Sequence, residues 1–309
     1  MIDVSSKFNT LRYALAHGIL LTKKEIIEKV RNNQVPKGDV LEISRGAGIS
    51  AAKKTSEILV FCHPLPLDWV EIKFELLEES VEVFAEAKAI WKTGVEMEAL
   101  TAVSAALLNM YDMLKPLDRE IEITNIKLIK KSGGKSDFTD DFKSHLRGAV
   151  LVISDSTFAG KREDKSGKII QNYISKFPID VDFYEIFPDS EDMIANRLIE
   201  LIDDEKVDLI FTTGGSGLGS KDVTPEATRK VIDIEVPGIS EAIRIHGKER
   251  TPFAMLSREI AGIRKQSLII NLPGSSKGSQ ESIEALFPGL LHAFYMLWGG
   301  GHKNDNPNT

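Results

Sequence analysis

From residue 149 onward, short apolar runs alternate with segments long enough for helices, and this alternation restricts the fold more than any other feature. Ala149 to Ser154, Val181 to Phe187 and Asp208 to Thr213 are brief, apolar runs of the kind found in strands covered on both faces. Lys165 to Phe177 and Glu191 to Glu205 lie between them and read as helices. Strands separated by helices require crossover connections, so this half is expected to be an α/β three-layer domain with a mostly parallel sheet. The third strand runs into Thr212-Thr213-Gly214-Gly215-Ser216-Gly217-Leu218-Gly219. A strand end so rich in glycine can bring bare N–H groups close to a phosphate. The three-glycine dinucleotide fingerprint is missing, which disfavours a nicotinamide cofactor. An ordinary structural turn is the alternative reading.

The preceding half follows another grammar. Lys7 to Arg31 reads as helical, residues 32–39 break it with turn chemistry, and Gly48 to Ile58 reads as helical again. Val70 to Leu77 and Val81 to Ala89 alternate like a hairpin around Glu78-Glu79-Ser80, and Ile121 to Ile129 forms a further strand. An α+β domain is expected. From Met97 to Leu114, the residues Met97, Leu100, Thr101, Ser104, Leu107, Leu108, Tyr111 and Leu114 recur at three- and four-residue steps, predicting one buried helical stripe. Glu98, Asp112 and Lys115 fall near its edge. Asp112 and Lys115, three apart, can act on each other and on one bound molecule, or form only a surface ion pair. A chain of 309 residues exceeds a typical single core, so two domains are expected, divided by the polar stretch from Asp137 to Arg147.

With 39 Lys+Arg against 46 Asp+Glu and a net charge of −7, the chain lacks the cationic footprint of a nucleic-acid partner. No run of about 18 apolar residues occurs, so no membrane partner is expected and the protein should be cytoplasmic. The single cysteine, Cys62, has no internal disulfide partner, and scattered histidines make a structural zinc site improbable. Cys62 reads as a small buried hydrophobe, while His63 is either structural or a group titrating near neutrality. The run Lys130-Lys131-Ser132-Gly133-Gly134-Lys135-Ser136 ends like a P-loop, but Ile129 stands where that motif requires glycine. It is read as a basic turn, either merely solvated or able to bind phosphate through backbone N–H groups, Lys131 and Lys135.

In combination, several segments of the first half resemble the cyclic pyranopterin monophosphate synthase (MoaC) family over about residues 1–138. They are Met1-Ile2-Asp3-Val4-Ser5, Lys37-Gly38-Asp39-Val40, Ala47-Gly48-Ile49, Cys62-His63-Pro64-Leu65, Lys92 through Ala102, Tyr111-Asp112-Met113 and Lys131 through Ser136. The resemblance implies a ferredoxin-like domain that converts a cyclised GTP derivative into cyclic pyranopterin monophosphate and pyrophosphate. Lys37, Asp112 and Lys115 would move protons, and Phe61, Cys62, His63, Met97 and Glu98 would contact substrate. The triphosphate requires cations, for which Arg45, Lys53 and Lys131 are candidates. Opening a purine ring needs a positioned acid and base, and a lysine of lowered pKa would suit that work. This chain departs from the family pattern at Val35-Pro36, where histidines are common, and at Phe61, where leucine is common.

The second half resembles the MoaB/Mog family of molybdopterin adenylyltransferases over about residues 147–298. The glycine loop, Lys221-Asp222-Val223-Thr224-Pro225, Ile153-Ser154-Asp155, Pro188-Asp189, Leu256-Ser257-Arg258 and Asn271-Leu272-Pro273-Gly274 carry the likeness. It implies transfer of AMP from ATP, a co-substrate, to molybdopterin, with Mg²⁺ near Asp189 and Asp222, the catalytic carboxylates. Thr213, Gly214, Gly215, Ser216, Gly217, Ser257, Pro273 and Gly274 would bind substrate. Local alternatives are a turn role for Asp189 and a helix cap for Asp222. A linker is expected at 139–146 and a disordered tail at 299–309. The partners implied are small pterins and nucleotides, with a homo-oligomer of threefold symmetry, a hexamer or a trimer. A rival reading makes the second half a carrier that binds molybdopterin or nucleotide without adenylylating it.

Overall fold

The computed structural model describes residues 1–139 and 145–299, and the chain divides into two compact units, Met1–Phe138 and Thr139–Thr309. The expected linker and tail fall largely on residues 140–144 and 300–309, which lie outside the described residues.

Unit 1 runs β1 (Thr10–Leu21), α1 (Lys24–Arg31), α2 (Val40–Ala52), α3 (Thr55–Ile58), β2 (Trp69–Leu76), β3 (Ser80–Trp91), α4 (Glu96–Leu114) and β4 (Glu122–Ser132). Its four strands lie in the order β2-β3-β1-β4, and all neighbours are antiparallel. Every second residue of β3, from Val81 through Val83, Ala85 and Ala87 to Ala89, enters the core, where Ala99, Ala102, Val103, Ala106 and Met110 of α4 meet it. The hairpin stands where the alternation put it, with Leu76 opposite Val81.

Three expectations need correction. Lys7 to Arg31 is not one helix: Thr10–Leu21 is strand β1, paired on both sides, and the helix begins only at Lys24. Its Ala- and Leu-rich composition favours helix locally, but Ala14, Ala16 and Leu20 alternate into the core, and the sheet overrides propensity. The second helix starts at Val40, eight residues before the expected Gly48, because the Asp39 carboxylate accepts the N–H groups of Leu41 and Glu42, each at 3.0 Å. On α4 the buried face is rotated from the expected stripe. Met97, Leu108 and Tyr111 are exposed, whereas Ala99, Ala102, Ala106 and Glu98 are buried. Small alanines let the helix lie close to the sheet, so side-chain size was the wrong guide to its inner face.

Unit 2 contains β5 (Leu146–Ile153), α5 (Asp155–Phe158), α6 (Ser166–Ile174), β6 (Ile179–Phe187), α7 (Glu191–Asp203), β7 (Leu209–Thr213), α8 (Thr224–Val231), β8 (Ile234–Glu235), α9 (Pro237–Lys248), β9 (Ala261–Arg264), β10 (Ser267–Leu272), α10 (Ser276–Leu286) and α11 (His292–Leu297). The sheet order is β6-β5-β7-β10-β9-β8; the first four strands are parallel and the last two antiparallel. Alternation along β5 builds two cores. Leu146 and Val150 pack with Ile170, Ile174, Ile283 and Leu286 on one face. Ala149, Leu151 and Ile153 pack with Ile194, Leu198, Leu201 and Val231 on the other. Helices therefore cover both faces in three layers. The antiparallel end arises because only Lys265 and Gln266, the former with φ of +55°, connect β9 to β10. Among the described residues no helix is long and apolar enough to cross a membrane.

Candidate functional site

In unit 1 the residues expected to act together gather at opposite ends of α4. At its C-terminal end Asp112 is held between two lysines, with Lys37 Nζ 2.8 Å from Oδ2 and Lys115 Nζ 2.7 Å from Oδ1. The α2 cap at Asp39 turns the chain so that Lys37 reaches across, and its ammonium also donates to the Asp112 carbonyl at 2.7 Å. Hydrogen bonding to Lys115 and then Lys37 pulls the Asp112 carboxyl down to about 2. Asp112 in turn pushes Lys115 upward, opposite to the lowered lysine expected from the sequence.

At the other end of α4, Glu98 is 3 % exposed, and its Oε1 lies 3.6 Å from Cys62 Sγ. Burial pushes the Glu98 carboxyl up, and burial followed by the Glu98 charge pushes the Cys62 thiol up to about 11. Cys62 is half-buried and remains a thiol at neutral pH. His63 Nε2 lies 2.8 Å from the Ile2 carbonyl, and His63 and Phe61 line one cavity with Lys7 and Thr93. Lys7 and Thr93 also line a neighbouring cavity of about 330 Å³ whose walls carry Arg12, Lys92, Lys131 and Lys135 beside Glu96 and Asp137. Lys131 Nζ stands 3.3 Å from Glu96 Oε1. Arg12 is buried, and its guanidinium donates to the carbonyls of Trp91 and Lys92 at 3.1 and 3.0 Å. Desolvation lowers its pKa, with the charges of Glu96 and Asp137 opposing. Gly133, between the pocket residues Ser132 and Gly134, has a φ of +90° and approaches β1 so closely that a Cβ would sit 1.9 Å from the Leu11 carbonyl oxygen.

Lys131 is thus in the basic pocket, whereas Arg45 is engaged elsewhere. Its guanidinium donates to the Ile72 carbonyl, pairs with Glu42 at 3.2 Å and lies 5.2 Å from the Phe74 ring centroid. Lys53 is exposed at the end of α2, and Met97 is exposed near the start of α4. Lys7 and Arg12 escape the sequence reading because Lys7 to Arg31 reads as helix, whereas strand pairing sets Arg12 in this pocket; Lys92 opens a segment of the family likeness that assigns it no role. Fourteen residues separate Glu98 from Asp112, so the two clusters of one chain stand about 21 Å apart along α4.

In unit 2 the site lies at the carboxyl ends of β5 and β7, where parallel strands open a crevice. A cleft of about 380 Å³ is lined by Asp189, Asp222, Thr213, Gly214, Gly215 and Gly274, together with Ser154, Arg162 and Ser275. Gly214 needs φ of +101°, and a Cβ there would lie 2.2 Å from the Ile153 carbonyl oxygen. Asp189 and Asp155 are locked reciprocally: Asp155 N–H donates to Asp189 Oδ2 at 2.9 Å, and Asp189 N–H to Asp155 Oδ1 at 3.1 Å. Lys221 Nζ reaches the other Asp155 oxygen at 2.6 Å. Burial raises the Asp189 carboxyl, and the charges of Asp155 and Asp222 add to the rise. Asp222 Oδ2 accepts the Gly219 N–H at 2.7 Å. Ser216 and Gly217 serve the loop itself, their carbonyls accepting the Arg258 main-chain N–H and Nε–H at 3.1 and 2.7 Å. Ser257 and Pro273 line an adjoining cavity. Asp155 and Lys221 belonged to matched sequence segments, but their link to Asp189 arises only in three dimensions.

Comparison with known proteins accounts for both halves. The model described as the MoaC family matches residues 1–134, and that described as a probable molybdopterin binding domain matches residues 149–292. A molybdenum cofactor biosynthesis bifunctional protein of Chlorobaculum tepidum is 40% identical, covering 98% of this chain and 96% of its own. One so described from Synechococcus elongatus is 38% identical, covering 98% of each chain. A cyclic pyranopterin monophosphate synthase of Aquifex aeolicus is 49% identical over 44% of this chain and 54% of its own. With a likeness that runs through both units and nearly the full length of such relatives, the chain belongs to the family of bifunctional molybdenum cofactor biosynthesis proteins, a MoaC-type domain followed by a molybdopterin-binding-type domain.

Proposed function

We propose that the chain catalyses two non-consecutive steps of this biosynthesis. Unit 1 converts 3',8-cyclo-7,8-dihydro-GTP into cyclic pyranopterin monophosphate and pyrophosphate; unit 2 transfers AMP from ATP to the terminal phosphate of molybdopterin. The observation that carries the first reading is Asp112 clasped by Lys37 and Lys115. Two ammonium donors on one ionised acceptor supply an acid and a base within hydrogen-bond reach, as opening and reclosing a purine ring demands. The basic pocket around Arg12 and Lys131 is suited to the triphosphate, whose charge must be met as pyrophosphate leaves. The β-α-β-β-α-β order and antiparallel sheet support a ferredoxin-like assignment for unit 1.

A separation of about 21 Å within one helix is too long for one small substrate to bridge, which supports a site shared between copies. We therefore infer a homo-oligomer with threefold symmetry, trimer or hexamer, in which the Asp112 end of one copy faces the Glu98 end of another. Mixing inactive Lys37→Ala and Glu98→Gln chains, unfolded and reassembled together, should restore part of the activity; no recovery in a mixed oligomer sinks the shared site. For the reaction itself, pyrophosphate release is expected from the intact protein and from neither Lys37→Ala nor Asp112→Ala.

In unit 2 the glycine loop and the start of α10 line the cleft, a setting suited to phosphate, and Asp189 and Asp222 line the same cleft. Among the described residues no group of three His, Cys, Asp or Glu side chains is placed to hold a metal. The donor set fits Mg²⁺ arriving with ATP, held by Asp189 and Asp222 together with phosphate oxygens. Such an ion would neutralise the meeting phosphates. ATP- and molybdopterin-dependent pyrophosphate release that Asp189→Ala abolishes is the expected result; binding without turnover would make unit 2 a carrier.

A further inference from the structure

Beside the glycine-loop cleft lies the second cavity, of about 190 Å³, which shares Ser275 with it. Ile243, Ala254 and Pro273 give it apolar walls, and Phe253 lines it while remaining 73 % exposed. Two acids also line it: Glu281, which has Lys277 Nζ 3.9 Å away, and Glu259, which is only 1 % exposed. Among the described residues neither of the Glu259 carboxylate oxygens has a partner in hydrogen-bond geometry, and no other carboxylate there has both oxygens buried in that condition. Burial pushes its pKa up to about 7, with the nearby Ser257 hydroxyl and Arg244 charge offsetting only part of the rise. The Arg244 guanidinium donates to the Glu259 main-chain carbonyl, at 3.1 Å, and leaves the carboxylate unserved.

The backbone on either side holds Glu259 in this environment. Arg258 is fastened to Gly217, Asp222 and Glu226, and Ile260 N–H donates to Asn271 Oδ1 at 3.4 Å. An unpaired buried carboxylate costs stability, so two open acceptors at a cavity wall call for a ligand with two parallel donors. A flat ring with an N–H beside an exocyclic amino group matches this demand, as in the 2-amino-4-oxopyrimidine edge of a pterin. The adjoining polar cleft suits a phosphate-bearing end of the same molecule. Adenine, with an acceptor next to its amino group, would need the protonated acid instead.

We propose that Glu259 reads the pterin of molybdopterin, its carboxylate accepting hydrogen bonds from N3–H and the 2-amino group while the ring occupies the apolar cavity. The proposal rests on the reading of unit 2 as a molybdopterin-binding domain. It is tested by titrating the full chain and Glu259→Gln at pH 8 with pterin-6-carboxylate, lumazine-6-carboxylate and GMP. Lumazine carries an oxo acceptor where pterin carries the amino donor. The intact protein should prefer the pterin by at least about tenfold, because a mismatched buried polar pair is strongly rejected. Glu259→Gln should lose or reverse that preference, its carboxamide now donating to the 2-oxo group. Unit 1 is identical in both proteins, so the difference between them reports unit 2. Equal binding of pterin and lumazine, an unchanged preference in the variant, or tighter binding of GMP through Glu259 overturns the proposal while leaving unit 2 as a binding domain. Absence of any pterin binding by the intact protein overturns both.

Discussion

Glu259 also makes a prediction about stability that needs no ligand. Its carboxyl moves from an ordinary 4.5 to about 7 on folding. At about 1.4 kcal/mol per pKa unit, the folded state forgoes up to roughly 3 kcal/mol once the group must ionise. The sign follows from the raised value. Below about pH 4.5 the acid is protonated folded and unfolded, and it costs nothing. As pH rises towards about 7 the unfolded chain ionises first and stability drains away; above that the full loss applies. Glutamine is neutral throughout, so Glu259→Gln should match the intact protein near pH 4.5 and exceed it by up to about 3 kcal/mol near pH 8.5. Hydrogen exchange of amides in β7 and β10, corrected for intrinsic rates, isolates unit 2 from unit 1. A variant less stable at pH 8.5, or a difference that does not grow with pH, would refute the argument by showing that the carboxylate is satisfied after all. Gained stability with lost pterin discrimination is the pattern of a binding group, since a merely structural acid would lose stability when replaced.

Other expectations follow from the same geometry. Gly214→Ala forces a left-handed backbone and a Cβ onto the Ile153 carbonyl; urea unfolding of unit 2 should show a loss of about 3 kcal/mol or more, with no adenylylation. Cys62 should alkylate slowly at pH 8 because its thiol is pushed up to about 11, and Glu98→Gln should speed the reaction by removing one cause of that rise. Lys131→Ala should raise KM for the triphosphate by about tenfold, the worth of one charge-assisted contact, with a smaller change in kcat. An unaltered KM would place the phosphates away from the basic pocket.

Several features were legible from local pattern. The β2–β3 hairpin, the helix beginning near Met97 and the alternating elements of unit 2 all follow from spacing that tertiary structure had no reason to override. So did the pairing of Asp112 with Lys115, three residues apart on one helix. Lys37 joining them required the fold, since it arrives from the turn before α2. Arg45 shows the opposite failure: a cation that looked available is spent on Ile72, Glu42 and the Phe74 ring.

The division has a physical basis. Periodicity, glycine placement and charge are properties of neighbouring residues, and by themselves they determined the two-domain plan and the parallel strands of unit 2, while the acids and lysines offered for chemistry came mainly from the family resemblance. Burial is a property of the whole fold. Only packing made β1 a strand, turned α4 so that Glu98 faces inward, gathered Lys7, Arg12 and Lys131 around one pocket, and enclosed the Glu259 carboxylate without a hydrogen-bond partner among the described residues. A carboxylate's neighbours and solvent, and with them its charge and its use, are set by residues distant in sequence, where no local pattern reaches.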